Sequence, residues 1–475
     1  MTLLDLLLAF NQFVLGYFVV LNTVYLVLYA VSFVEVADHA RREIFSGLPE
    51  LFASAYSPPV SVVVPAYNEE VTIASSVRSL LTMRYPLHEV VVVNDGSKDR
   101  TLEVLKETFG LREADQPVRM QLRTAPIRGV YVSPTERLIV VDKENGGRSD
   151  ALNAGVCAAG HPFVCFTDAD VVMEEDALLR VARPLIESEN VVAVGGIVRV
   201  ANGCEIRDGR VVEVRAPRNP IAAFQVVEYL RAFVASRTGW SRINSLLIVS
   251  GAFGMFRRRD ILNFGGLEVD TIAEDMELTL RFHKLYKKSG SKYRVVFIPD
   301  PVAWTEVPST LRVLGRQRDR WHRGLIETLV RYRRMIFNPS YGSVGLLGLP
   351  YFLFFEFLGP LVELAGYVAL VVSLLLGVLN TEFALLFFLV SVGWGSFLSL
   401  AAVFLEELRL RRYPRWGDLG KLSLYAVAEN LGYRQLNTVW RVIAMVSYLR
   451  NKKGWGEMER QGFDDPEGEQ TLRRM

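Results

Sequence analysis

Three acidic sites in this chain sit where local patterning changes. Asn94-Asp95-Gly96-Ser97 follows the run Val90–Val93, and Thr167-Asp168-Ala169-Asp170 follows Phe163–Phe166. Ala273-Glu274-Asp275 opens a helical stretch that carries Met276, Leu278 and Leu280. An Asp-Gly pair alone is a common turn. Two carboxylates separated by one residue, on a tight loop after a buried strand, do more: they grip one hard divalent cation. Mg²⁺ or Mn²⁺ held this way bridges to substrate phosphates, which assigns Asp168 and Asp170 to cation binding. A fourth feature is Gln317-Arg318-Asp319-Arg320-Trp321. Gln317, Arg320 and Trp321 share one helical face at i, i+3 and i+4. That face offers an amide, a guanidinium suited to phosphate and an aromatic plane suited to a sugar ring. The arginines around it, from Arg312 to Arg334, also suit a basic helix resting on anionic lipid headgroups.

Strands and helices alternate around these sites. The β-branched runs Val60–Val64 and Val90–Val93 are followed by helical stretches Glu70–Leu81 and Thr101–Thr108. Leu138–Val141 leads to Gly146-Gly147 and a helix from Ser149; Phe163–Thr167 leads to the acidic loop and a helix over Glu175–Glu187. This rhythm predicts an α/β fold with an open, mostly parallel sheet. Such sheets bind ligands at the carboxyl ends of their strands, where the aspartates fall. The segment Gly110–Arg137 reads as either a long loop or a small hairpin.

Half of the 475 residues are hydrophobic, and they are unevenly spread. Leu3–Val36 is nearly all apolar, broken mainly by Asp5, Asn11, Gln12 and Asn22. It exceeds the roughly 20 residues that cross a bilayer. It lacks the basic start and short apolar core of a cleaved leader, so it reads as an anchor. His39, Arg41 and Arg42 follow, which predicts an N-terminus outside and a cytoplasmic chain beyond. Pro350 and Gly359-Pro360 divide the next apolar region into an interfacial helix, Leu346–Leu358, and a span, Leu361–Leu379. Phe383–Leu405 returns to Arg409, Arg411, Arg412 and Arg415. Leu419–Leu449 contains Glu429, Asn430, Arg434, Gln435 and Arg441, and reads as two amphipathic interface helices broken near Gly432. A full span there would leave Arg450, Lys452, Lys453 and Arg460 outside, against the charge rule. Glu356 and Glu363, inside apolar sequence, must face protein or water. Three parts result: residues 1–57, an N-terminal membrane helix and linker; 58–335, a cytosolic α/β domain ending in an interface helix; and 336–475, membrane and interface helices with a tail.

Composition closes off other classes. Lys+Arg 54 against Asp+Glu 52 gives a net charge of +2, which excludes a generally basic nucleic-acid binder and an acidic disordered chain. Cys157, Cys165 and Cys204 have no CxxC spacing, which excludes a disulfide scaffold and a zinc ribbon.

Taken in order, Asp95, Asp168-Ala169-Asp170, Asp275 and Gln317–Trp321 resemble the D, DxD, (T/S)ED and QxxRW series. That series marks processive, membrane-bound family-2 glycosyltransferases, the group of cellulose, hyaluronan, chitin and poly-N-acetylglucosamine synthases. Val64-Pro65-Ala66-Tyr67-Asn68-Glu69 is similar to that family's nucleotide-contacting first loop. Lys143 with Asn145–Asn153 resembles its NGGK-x-x-ALN stretch. The resemblance runs from about Val60 to Trp321. Two departures stand out: Ala273 replaces Thr or Ser, and Arg148 replaces Lys.

The resemblance implies a GT-A domain set between membrane helices, and inverting transfer from a nucleotide-sugar, UDP-linked for preference, at the inner face of the cell membrane. It implies that Pro65, Tyr67, Glu69 and Asp95 hold base and ribose, and that Lys143 and Arg148 also belong to the substrate site. Asp168 and Asp170 would hold Mg²⁺ or Mn²⁺, Gln317 and Arg320 the diphosphate, and Trp321 the acceptor sugar. Asp275 would be the general base. Ser250-Gly251 matches a small-residue stretch of the acceptor pocket, and equally a plain turn. A growing polysaccharide is the first expected acceptor. A lipid-linked acceptor receiving one sugar is the second, and an inactive partner subunit of a polysaccharide exporter the third. Membrane lipids are expected partners; nucleic acid is not.

Overall fold

Valine dominates the first two strands, β1 (Val60–Ala66) and β2 (His88–Asp95), and nearly every position in them is buried. Continuous apolar strands of this kind belong to a sheet covered on both faces. The computed structural model describes residues 3–45, 57–114, 118, 120–207, 209–410, 413 and 415–450. The remaining strands are β3 (Arg112–Glu113), β4 (Ile127–Val132), β5 (Leu138–Lys143), β6 (Phe163–Thr167), β7 (Val171–Met173), β8 (Val191–Val200), β9 (Glu205–Arg207), β10 (Arg210–Glu213), β11 (Phe253–Arg257) and β12 (Arg294–Thr305).

Ten of them form one sheet in the order β3-β4-β5-β2-β1-β6-β11-β8-β12-β7. β3, β5, β2, β1, β6, β8 and β12 point one way; β4, β11 and β7 point the other. The sheet is therefore mixed but mostly parallel, as expected. Gly110–Arg137 resolves in favour of strands: β3 and β4 pair antiparallel, and β4 extends the edge along β5. β11 was not legible: it arrives from far down the chain and wedges antiparallel between β6 and β8.

The Arg148–Ala158 helix is made of small residues and is buried almost all round. A side chain at Gly155 would collide with Val63 of β1, so glycine lets this helix lie close to the sheet. That close seat fixes the helix's first turn beside the ends of β2 and β5.

The chain divides into two compact units. Ala37–Val214 and Leu246–Val307 make the sheet unit; the described residues up to Val36, Arg215–Ser245 and those from Pro308 onward make the other.

Among the described residues three helical stretches are long and apolar enough to cross a membrane: Asp5–Arg42, Val344–Leu375 and Thr381–Leu405. The division expected at Pro350 is not a break. Pro350 lies between stretches of wider turns, Val344–Gly348 and Phe352–Phe357, which absorb a missing N–H. The second stretch ends at Leu375 rather than Leu379, followed by Gly377 at φ +67°. The polar breaks of the first stretch face protein: Asn11 Nδ2 donates to Ser373 Oγ at 2.9 Å, and Asn22 Nδ2 to the Val390 carbonyl at 2.9 Å. Glu363 and Glu356 pair with Arg434 at 3.2 Å and Arg441 at 2.9 Å. Helices Trp416–Ala428 and Arg434–Leu449 meet at a kink at Leu431-Gly432, as expected. Arg411, Arg412, Lys452, Lys453 and Arg460 lie outside the described residues.

Candidate active site

Four strand-end segments of the sheet unit converge, and hydrogen bonds tie them together. The loop after β1 is fastened to the loop after β2. Asn68 N donates to Ser97 Oγ at 3.0 Å, Lys98 N to Asn68 Oδ1 at 2.8 Å, and Glu69 N to Thr101 Oγ1 at 2.8 Å. Tyr67 remains 44% exposed on this paired loop, with Pro65 and Glu69 partly buried beside it. The Glu69 carboxylate accepts from Thr72 Oγ1 at 2.9 Å.

Asp95 ends β2 directly opposite Lys143 at the end of β5. Its Oδ1 accepts from Lys143 Nζ at 2.5 Å and Gly146 N at 3.0 Å, and its Oδ2 from Gly147 N at 2.8 Å. Gly96 must be glycine here: its φ is +67°, and a Cβ would lie 2.7 Å from Asn145 N. Lys143 is completely buried and also pairs with Asp150 at 2.6 Å. Asp150 in turn accepts from Ala125 N at 3.0 Å. Lys143 therefore lies beneath the 144–148 turn and shapes it from below.

Asp168 and Asp170 lie on the short loop after β6. Asp168 Oδ1 accepts from Arg148 Nε at 2.8 Å. The same guanidinium donates to Glu274 and, at 2.6 Å, to the Gly251 carbonyl. Burial opposes the Arg148 charge, but the carboxylates of Asp168 and Glu274 outweigh it and hold the guanidinium above its usual pKa. Burial pushes the Glu274 carboxyl upward despite Arg148, and Asp275 adds to the rise.

Asp275 sits in the first turn of the Glu274–Ser289 helix, where the helix dipole favours an anion. Its Oδ2 accepts from Gly251 N at 3.2 Å and its Oδ1 from Met276 N at 2.7 Å. Gly251 thus serves both sides: its carbonyl receives Arg148 and its N–H holds Asp275. Glu274 joins the site although sequence reasoning assigned it no role; Gly251, expected either in the acceptor pocket or in a plain turn, joins it through its backbone. The signal for Glu274 was its place beside Asp275 at a helix start.

The Gln317–Trp321 pentad belongs to the other unit. It lies on the Leu311–Arg331 helix, whose start is capped by Thr310. Gln317 is buried, and its Oε1 has no hydrogen-bond partner among the described residues. Trp321 is 43% exposed, with the Arg318 guanidinium 4.5 Å from its ring centre. Arg318 is held by Glu228 at 2.6 Å and covers part of the Trp321 ring, so it is a packing residue, while the other part of that ring is exposed.

Residues 61–260 match the family model described as Glycosyl transferase family 2, and residues 163–398 the one described as Glycosyl transferase family group 2. The chain is 29% identical over 303 residues to the "Probable glycosyltransferase YdaM" of Bacillus subtilis (strain 168), covering 63% of each protein. It is 26% identical over 273 residues to the "Poly-beta-1,6-N-acetyl-D-glucosamine synthase" of Staphylococcus epidermidis, covering 57% of this chain and 56% of that one. The chain thus spans between half and two thirds of the length of these curated relatives. Among solved structures, the mannosyltransferase PcManGT from Pyrobaculum calidifontis, in complex with GDP-Man and Mn²⁺, superimposes with a TM-score of 0.53 at 20% identity. That match covers 90% of this chain and 100% of the other, and it agrees with a GT-A fold.

Proposed function

We propose that the chain is a family-2 glycosyltransferase and that it moves a sugar, with inversion, from a nucleotide-sugar to a growing polysaccharide at the inner face of a cell membrane. One observation carries this reading: the Arg148 guanidinium joins Asp168 of the DxD loop to Glu274, the neighbour of Asp275. The carboxylates that single-displacement transfer requires thereby meet at one end of the sheet.

In this mechanism Asp275 accepts the proton of an acceptor hydroxyl, and that oxygen forms the new bond to the anomeric carbon as the bond to the diphosphate breaks. Its two hydrogen bonds, from Gly251 N and Met276 N, hold the carboxylate in one orientation. Asp168 and Asp170 fit Mg²⁺ or Mn²⁺ by their chemistry: both offer hard oxygen donors, and Asp168 already holds a cationic guanidinium. When bound, such an ion offsets the negative charge that grows on the diphosphate leaving group. Tyr67 and Glu69 take the nucleoside, and Asp95 shapes the turn beneath it. Gln317 and Arg320 take the diphosphate, and Trp321 the acceptor sugar. The three long apolar helices among the described residues support a multi-pass membrane protein, and the basic flank His39, Arg41 and Arg42 supports a catalytic unit on the cytoplasmic side.

The deciding experiment incubates the purified full chain with UDP-, GDP- and dTDP-sugars, with Mg²⁺, Mn²⁺ or EDTA. Metal-dependent nucleotide release from one donor, with long product on a sizing column, is the expected result. Release with a single added sugar would replace the polysaccharide acceptor by a lipid-linked one. No release from any donor would overturn the reading.

A further inference from the structure

Arg148 occupies an unusual position for a surface cation. Its Nε and one terminal nitrogen reach Asp168 Oδ1 at 2.8 Å, the other terminal nitrogen reaches Glu274, and the Gly251 carbonyl receives a third bond at 2.6 Å. Every edge of the guanidinium is used, and the side chain is mostly buried. Asp168 is the more exposed partner, at 31%. The charge that neutralises Asp168 is therefore supplied by the protein itself.

A guanidinium and a divalent cation cannot both take the same carboxylate at full strength. The fork that fits a carboxylate also fits phosphate, through parallel N–H donors. A diphosphate can thus compete for Arg148 at the moment it supplies oxygen ligands for a metal. We propose that Arg148 is a positioning residue that makes divalent-cation binding at Asp168 conditional on the donor's diphosphate. It holds Asp168 while the site lacks nucleotide and turns to the phosphates when they arrive. Glu274 and Gly251 keep the guanidinium within reach of both. The inference rests on the nucleotide-sugar reading above and adds an order to it: metal and nucleotide enter together.

The competition predicts effects of opposite sign, which loss of structure alone cannot produce. Mn²⁺ binding is measured by electron paramagnetic resonance on the detergent-solubilised full chain, without nucleotide and with saturating UDP or GDP. In the unaltered protein Mn²⁺ alone should bind at least tenfold more weakly than with the nucleotide that binds. Arg148→Met should tighten Mn²⁺ binding without nucleotide by about fivefold or more, while binding with nucleotide stays the same or weakens. Glu274 is left buried and unpaired in that variant, so Arg148→Met/Glu274→Gln and Arg148→Lys are measured beside it. The lysine keeps the charge but cannot span both carboxylates, so Mn²⁺ alone should again bind more tightly, by a smaller factor. Equal Mn²⁺ affinity with and without nucleotide in the unaltered protein would overturn the inference and leave the proposed function standing. So would folded variants whose Mn²⁺ affinity weakens in both conditions. No Mn²⁺ binding even with UDP and GDP present would overturn the metal-dependent reading and this inference with it.

Discussion

Two cations bridge pairs of carboxylates on either side of Gly146-Gly147, and they are built differently. Lys143 joins Asp95 and Asp150 with its side chain at 0% exposure and theirs at 5% and 10%. Arg148 joins Asp168 and Glu274, at 16%, 31% and 9%. The sealed bridge uses a compact point charge that completes a turn from below. The open bridge uses a planar fork on the side where a substrate can arrive. Buried cation–carboxylate chemistry is common to both; access to solvent separates scaffold from site.

The largest effect should fall on the open side, and on turnover rather than on ligand binding. Asp275→Asn keeps the size of the side chain and removes its proton-accepting power, which lowers turnover by about 10²–10⁴-fold. Nucleotide and Mn²⁺ binding, followed by titration calorimetry and electron paramagnetic resonance, should be unchanged. Loss of nucleotide binding in that variant would mean that Asp275 serves the donor instead.

The sealed side should respond in the opposite way. Lys143→Met leaves Asp95 and Asp150 buried without their cation, and breaking a buried pair from one side costs about 3–5 kcal/mol. Thermal unfolding of the detergent-solubilised chain should move down steeply. Arg148→Met/Glu274→Gln should move it by less than half as much, because partly exposed Asp168 recovers water and no buried carboxylate is left without its cation. Equal shifts for the two variants would erase the distinction between the bridges.

The same comparison explains what the residues disclosed beforehand. Strands β1, β2, β5 and β6 were legible because buried valine runs leave few alternatives, and the aspartates at their ends followed. The first turn of the 274–289 helix was legible from its apolar spacing. The partnerships were not. Arg148 and Glu274 are 126 residues apart, and no local spacing announces a bond across that interval. Lys143 entered the expected substrate site through the family resemblance alone; its burial between Asp95 and Asp150 follows from a strand register that no local pattern announces. β11 escaped because Phe253–Arg257 is short and pairs with a strand about 90 residues earlier. In the membrane unit, Pro350 misled because helix-breaking rules assume regular turns, and the turns around it are wide.

The smallest effect concerns Ala273, which precedes the helix carrying both acids of the open side. It makes no side-chain cap, so the first-turn N–H groups find other partners. One of them, Met276 N, donates to Asp275 Oδ1 at 2.7 Å, which makes the base carry part of the capping duty. Ala273→Thr supplies a hydroxyl that can accept from the same N–H. Loss of a threonine cap costs about 0.5–2 kcal/mol elsewhere, so gaining one should raise stability by about 1 kcal/mol. Asp275 would also lose one of its two anchoring hydrogen bonds, so its carboxylate would be held less firmly toward an acceptor hydroxyl. Stability from thermal unfolding should therefore rise while turnover falls by a few-fold at most. A rise in stability with unchanged turnover would show that the Met276 hydrogen bond does not orient the base, and that the open side is set by Gly251 alone.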